Sequence, residues 1–270
     1  MAHDRPPRGG RLRARDLRPR GFRVGGRTGG FGVIGSSIRA LAVVVPVHNE
    51  EQLLSRCLHS VEAAVSRVRV PCAVFVVIDA STDGSASVAR QHPFPVVEIK
   101  AGSVGVARSV GVAAALRSLA PAIDRRTWIA NTDADSVVPA NWLTVQLGLA
   151  REGADLVIGT VRPDFADLTP QHREMWLDTH TRGKPNGHVH GANLGLRADV
   201  YRAAGGFSDA PEHEDVMLVD RCRASGAHLV ASDAAEVLTS GRFVGRTPGG
   251  YAAYLRDQHR ALTSAAPEPV

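Results

Sequence analysis

The chain is poor in the features that most directly place a protein. Its 270 residues include only three cysteines, Cys57, Cys72 and Cys222, far apart and without a CxxC pair. That spacing excludes an even disulfide framework and makes a reducing cytoplasm the default compartment. No apolar run approaches the roughly 20 residues that a membrane-spanning helix needs, so no integral membrane segment is expected. The N-terminus has no apolar core ahead of a small-residue cleavage site and does not read as a signal peptide. The glycines of Gly105-Val106-Ala107-Arg108-Ser109-Val110-Gly111 do not make GxGxxG, which excludes a nicotinamide-nucleotide fingerprint.

Basic charge is also missing from most of the chain. The net charge is +5, yet residues 1–38 hold nine arginines and two aspartates, which is +7, so the remaining 232 residues carry −2. A nucleic-acid partner is therefore not expected for the folded body. The tail is dense in Arg, Gly and Pro and lacks hydrophobic periodicity, which predicts disorder. It reads as a solvated extension or a mis-assigned start, with contact to an anionic membrane or RNA as the alternative.

What is present is an alternation of strands and helices over residues 39–270. The run 41–45 is apolar, β-branched and followed by Pro46, as a buried parallel strand would be. Further strands are predicted at 73–78, 96–99, 128–130, 156–159, 191–196 and 227–231. Helices are predicted at 50–68, 85–91, 104–119, from Pro139, around 171–181, and at 199–204, 214–225 and 250–260. This order predicts an α/β, Rossmann-like, mainly parallel sheet flanked by helices. Ligands of such sheets bind at the carboxyl ends of the strands. His48-Asn49-Glu50, Asp79 with Asp83, and Asp133 with Asp135 follow strands and should converge on one edge.

Six segments carry a resemblance: VVVPVHNEE, VVIDASTDGS, VGVARSVGVAAA, NTDADS, GANLGLRADVYRAAGGF and EDVMLVDR. In this order they resemble the family-two glycosyltransferases over roughly residues 40–225. The resemblance implies a GT-A fold, with a nucleotide-binding half (39–136) and an acceptor half (137–270). It implies transfer of a sugar from a nucleoside-diphosphate sugar to an acceptor hydroxyl, by a hexosyltransferase that inverts. The acceptor is a small molecule, a saccharide or a lipid-linked compound, met in the cytoplasm or at a membrane surface. A sugar-phosphate nucleotidyltransferase is the alternative enzyme, but it wants a glycine-rich basic loop where PVHNEEQ stands. A non-catalytic nucleotide-sugar-binding module is the alternative outside enzymes.

Asp133 and Asp135 are hard oxygen ligands suited to Mg²⁺ or Mn²⁺; by themselves they also fit a capped turn. The resemblance makes Asp135 the metal ligand and Asp133 a ligand of metal or ribose. It gives Asp79 to the nucleotide base, and adds Pro46, Asn49, Ala134 and Asn193 to the nucleotide-sugar site. Glu50 either caps the following helix or contacts the nucleotide. Arg108 reaches the diphosphate, orders the aspartates, or stands exposed on its helix. Asp215 is the base that inverting transfer needs, with Glu214 in support; both acids also suit a helix N-terminus. His188 and His190 fit a metal pair or a polar acceptor edge. The late segment Leu238–Arg242 lacks the histidine some GT-A enzymes use as a further ligand. Arg242 and Arg246 are candidates to meet the diphosphate instead.

Overall fold

Val43, Val45 and Val47 alternate with Ala42 and Val44, and both sets are buried. A strand covered on both faces must be a continuous apolar run, and this one is the centre of a sheet. The computed structural model describes residues 37–120, 124–245 and 249–264. The arginine-rich tail, apart from its last two residues, and Arg246 lie outside the described residues. Strands β1 (Ala40–Val47), β2 (Cys72–Asp79), β3 (Val96–Ile99) and β4 (Thr127–Asn131) run parallel, in the order β3-β2-β1-β4. They are joined through α1 (Leu54–Val65), α2 (Ser85–Ala89) and α3 (Val104–Ser118).

The two faces of β1 meet different helices. Leu54, Leu58 and Val61 of α1 pack in one core cluster with Val43 and Val45. Val112 and Ala115 of α3 pack in a second cluster with Ala42 and Val44. Gly111 permits the close approach of α3, because a Cβ there would stand 2.5 Å from Val44 Cγ1 and 3.0 Å from Val77 Cγ2. Gly111→Val should therefore overpack this contact and cost roughly 1–3 kcal/mol. A urea midpoint equal to that of the unsubstituted protein would contradict the close approach.

After β4 come β5 (Ser136–Val137), α4 (Trp142–Arg151), β6 (Leu156–Pro163), α5 (Pro170–Thr179), β7 (Leu194–Arg197), α6 (Ala198–Ala203), α7 (Glu214–Ala224), β8 (Leu229–Thr239) and α8 (Tyr251–Ser264). Among the described residues the full sheet order is β3-β2-β1-β4-β7-β6-β8-β5. β7 runs antiparallel to both β4 and β6, β8 parallel to β6, and β5 antiparallel to β8. The sheet is thus parallel through β4 and mixed beyond it.

Several boundaries differ from the sequence reading. The helix expected from Pro139 begins at Trp142, whose N–H donates to the Pro139 carbonyl. Gly191–Asn193 is a 3-10 turn, and only Leu194–Arg197 is strand. β5 was not anticipated, since two residues carry no periodicity. β8 extends to Thr239, well past the expected end at 231. Ser232, Asp233 and Glu236 interrupt its apolar run, so its ladder to β6 sustains it. The three cysteines are free. No helix among the described residues is long and apolar enough to cross a membrane.

Candidate active site

The carboxyl ends of β1, β2 and β4 open onto one cleft of about 550 Å³. Pro46, Glu50 and Asp79 line it from the first two strands, Asp133, Ala134 and Asp135 from the loop after β4, and Arg108 from α3. Glu214 and Asp215 enter from the start of α7. His213, just before them, has φ +61°, a left-handed conformation uncommon outside glycine, and it turns the chain into the helix at this point.

Arg108 is the hub. It is 2% exposed, so it does not stand free on its helix. Its Nη2 donates to Asp133 Oδ1 (2.6 Å), its Nε to Glu214 Oε1 (3.1 Å) and its Nη1 to the Gly191 carbonyl (3.1 Å). Gly191 must be glycine here, since a Cβ would lie 2.2 Å from Arg108 Nη2. Burial disfavours the guanidinium charge, but Asp133 and Glu214 outweigh it and hold the group protonated. Arg108 therefore orders the acids of the loop after β4 and of α7 together. Arg108→Ala would strand two carboxylates and should destabilise the fold by about 3–5 kcal/mol. Equilibrium denaturation checks this, and a loss below 1 kcal/mol would remove Arg108 as the hub.

Asp135 is 17% exposed and receives Arg242 Nη2 at 3.0 Å on Oδ2. Burial, with Asp133 and Glu50 nearby, pushes its carboxyl up to about 6, and Arg242 opposes that rise. Glu50, 7% exposed, pairs with Arg242 through two bonds, Nη1 to Oε2 at 2.9 Å and Nη2 to Oε1 at 2.5 Å. The helix-cap reading of Glu50 is corrected: α1 starts at Leu54, with no side-chain cap, and only the Glu50 carbonyl accepts from Leu53 and Leu54.

Three other predicted residues are held in ways the sequence did not indicate. Asp79 lines the cleft, but its carboxylate accepts the N–H groups of Ala101 (2.7 Å), Gly102 (2.9 Å) and Ser103 (2.7 Å), pinning the loop that enters α3. Asn49 does not line the cleft; its Oδ1 accepts the Thr82 N–H at 2.7 Å and ties the β1 and β2 loops together. Asn193 is buried behind the cleft. Its amide donates to the Thr160 and Ala235 carbonyls and accepts from Trp142 Nε1. Asp83 is turn chemistry, accepting the N–H groups of Ser85 and Glu51.

Asp215 is oriented by two backbone donors. Its Oδ2 accepts the Gly191 N–H at 2.7 Å and its Oδ1 the Val216 N–H at 2.8 Å. Each oxygen retains a second lone pair for an incoming hydroxyl. Burial pushes Glu214 up, against the pull of Arg108. His188 and His190 line the cleft from irregular chain, not from a strand. Burial pushes His190 down to about 4, so its ring is neutral at ordinary pH. Tyr251 of α8 meets that ring edge-on at 5.6 Å. The sequence reading missed Tyr251 and Tyr254 as cleft residues, because α8 carries no motif.

Asp133 and Asp135 suit a divalent cation. They are oxygen donors, and each faces a positive charge in this structure, Asp133 that of Arg108 and Asp135 that of Arg242. Among the described residues no group of three or more His, Cys, Asp or Glu side chains could hold a metal ion.

A mixed sheet, parallel through β4, continued by the antiparallel β7 and flanked by helices on both faces, is the GT-A class of fold. The chain belongs to glycosyl transferase family 2, whose model matches residues 42–203. The match stops before Glu214 and Asp215. The fold is similar to that of the mannosyltransferase PcManGT from Pyrobaculum calidifontis in complex with GDP-Man and Mn²⁺, at 21% identity and TM-score 0.59, covering 87% of this chain and 67% of that one. It is also similar to S. aureus TarS 1–349 in complex with UDP-GlcNAc, at 14% identity and TM-score 0.57, covering 84% and 66%. A longer S. aureus TarS structure matches at 15% identity and TM-score 0.55, and the chain spans 37% of its length. No curated protein sequence matches the chain.

Proposed function

We propose that this protein transfers a hexosyl group from a nucleoside-diphosphate sugar to an acceptor hydroxyl, with inversion and with a divalent cation, Mg²⁺ or Mn²⁺. The observation that carries the reading is the Arg108 hub, which brings Asp133 and Glu214 into one cleft from segments far apart in the chain. Residues 39–136 would hold the donor nucleotide and residues 137–270 the acceptor.

Asp135 and Asp133 would hold the cation, which when bound neutralises the diphosphate as it leaves. Asp215 takes the proton of the acceptor hydroxyl as that oxygen attacks the anomeric carbon. No enzyme nucleophile is required. Glu214 and Arg108 hold the loops that present Asp215 and Asp133. Asp79, by pinning residues 101–103, shapes the wall on which the nucleotide rests. The family membership and the Mn²⁺ bound in PcManGT support this reading.

A screen of nucleoside-diphosphate sugars by thermal shift, with and without Mn²⁺, tests the donor step. At a donor concentration of about 100 times Kd, stabilisation of roughly 2.7 kcal/mol is expected, and only with the cation. If no nucleotide sugar stabilises the protein with or without Mn²⁺, the reading fails.

A further inference from the structure

Two arginines touch the aspartate pair, and they are built differently. Arg108 is enclosed, with its side chain 3% exposed and its three nitrogens committed to Asp133, Glu214 and Gly191. Arg242 lies at the cleft wall with its side chain 27% exposed. It reaches Asp135 through a single contact of 3.0 Å, while two bonds of 2.9 and 2.5 Å anchor it to Glu50. Its backbone is separately held: Gly241 N donates to Asp167 Oδ2 at 2.8 Å and Arg242 N to Ser240 Oγ at 3.3 Å. The guanidinium can therefore release Asp135 while Glu50 and the chain keep it in place.

We propose that Arg242 is the resident counter-cation of the aspartate pair: its guanidinium holds Asp135 Oδ2, and yields that oxygen when a divalent cation binds. The electrostatics require some such partner. Asp133 is paired with Arg108, but Asp135 and Glu50 both lie in a largely buried setting against Arg242, and two such acids left without a cation would be costly. Arg242 answers that cost in the donor-free protein, and by the same charge it repels a second cation. The Nη2 group released from Asp135 becomes a donor for a phosphate oxygen, a charge-assisted bond that a guanidinium makes well. Arg242 would thus set the threshold at which the site accepts its cation and would link cation entry to anion recognition.

The inference rests on the metal role proposed for Asp135, but its test uses neither donor nor acceptor. Mn²⁺ binding to the donor-free protein is measured by isothermal titration calorimetry for the unsubstituted chain and for Arg242→Gln. Removing the competing charge should tighten Mn²⁺ binding about tenfold, and adding Asp135→Asn to Arg242→Gln should abolish the gain. A purely structural Arg242 would leave the constant unchanged or weaken it, and either result overturns the proposal. So does a failure of both proteins to bind Mn²⁺. Should Arg242→Gln not fold, side-chain NMR on the unsubstituted protein decides. Saturating Mg²⁺ should shift the guanidinium signal of Arg242 while backbone exchange over residues 240–245 stays unchanged, because Glu50 and the chain still hold it, and an unmoved guanidinium signal refutes the displacement. A protein that passes here and yet is stabilised by no nucleotide sugar would retain its cation site and lose the transferase reading.

Discussion

Asp215→Asn is expected to lower sugar transfer by about 10³-fold while leaving the donor's dissociation constant within about twofold. The amide keeps the volume of the carboxylate, and its one oxygen can keep either the Gly191 or the Val216 N–H bond. It cannot accept a proton from a hydroxyl. Arg108, Glu214 and the aspartate pair are not contacted by Asp215 through any hydrogen bond, so the donor side should stay intact. Initial rates and calorimetric donor titrations measured together check this split. If the variant loses donor affinity and rate in proportion, Asp215 is a binding residue and the base lies elsewhere.

Asp135→Ala has the second large effect. Metal-dependent stabilisation by the donor should vanish, because Asp133 alone, with Oδ1 already given to Arg108, makes a weak cation site. The donor-free protein should suffer little. Asp135 carries a carboxyl whose charged form is disfavoured by burial and by two neighbouring acids, and removing it relieves that repulsion. Arg242 retains both bonds to Glu50. Thermal melts with and without donor and Mn²⁺ give the answer: the ligand-induced shift disappears, and the ligand-free melting temperature holds or rises. A ligand-free melt well below that of the unsubstituted chain would mean that Asp135 is structural.

Much of this candidate site was legible in the sequence. Asp79, Asp133 and Asp135 each follow a short β-branched or apolar run, and strands that alternate with helices must place such residues on one sheet edge. The acids at 214 and 215 were legible as a helix start, and the order of motifs gave them a second meaning. The parallel half of the sheet was legible for the same reason: β1 and β2 are continuous apolar runs, which only a strand buried on two faces requires. β8 was legible only in part, because its polar residues hide a strand that pairing with β6 sustains.

The roles of the arginines were open in the sequence, and so was the work of Asn49, Asp79 and Asn193. Asn193 reads like a ligand residue, yet its amide closes hydrogen bonds between β6, β8 and α4. Asp79 reads like a base contact, and three backbone N–H groups occupy three of the roughly four acceptor positions of its carboxylate. Composition and periodicity by themselves determined the strand–helix order, the uneven charge, the absence of a disulfide framework and the set of acids at the strand ends. Only the tertiary structure decided which cation meets which acid. The pair of Arg242 with Glu50 spans 192 residues and that of Arg108 with Glu214 spans 106. Periodicity specifies which face of an element is apolar; partners at such distances are chosen only when the sheet closes and burial obliges every charge to find its opposite.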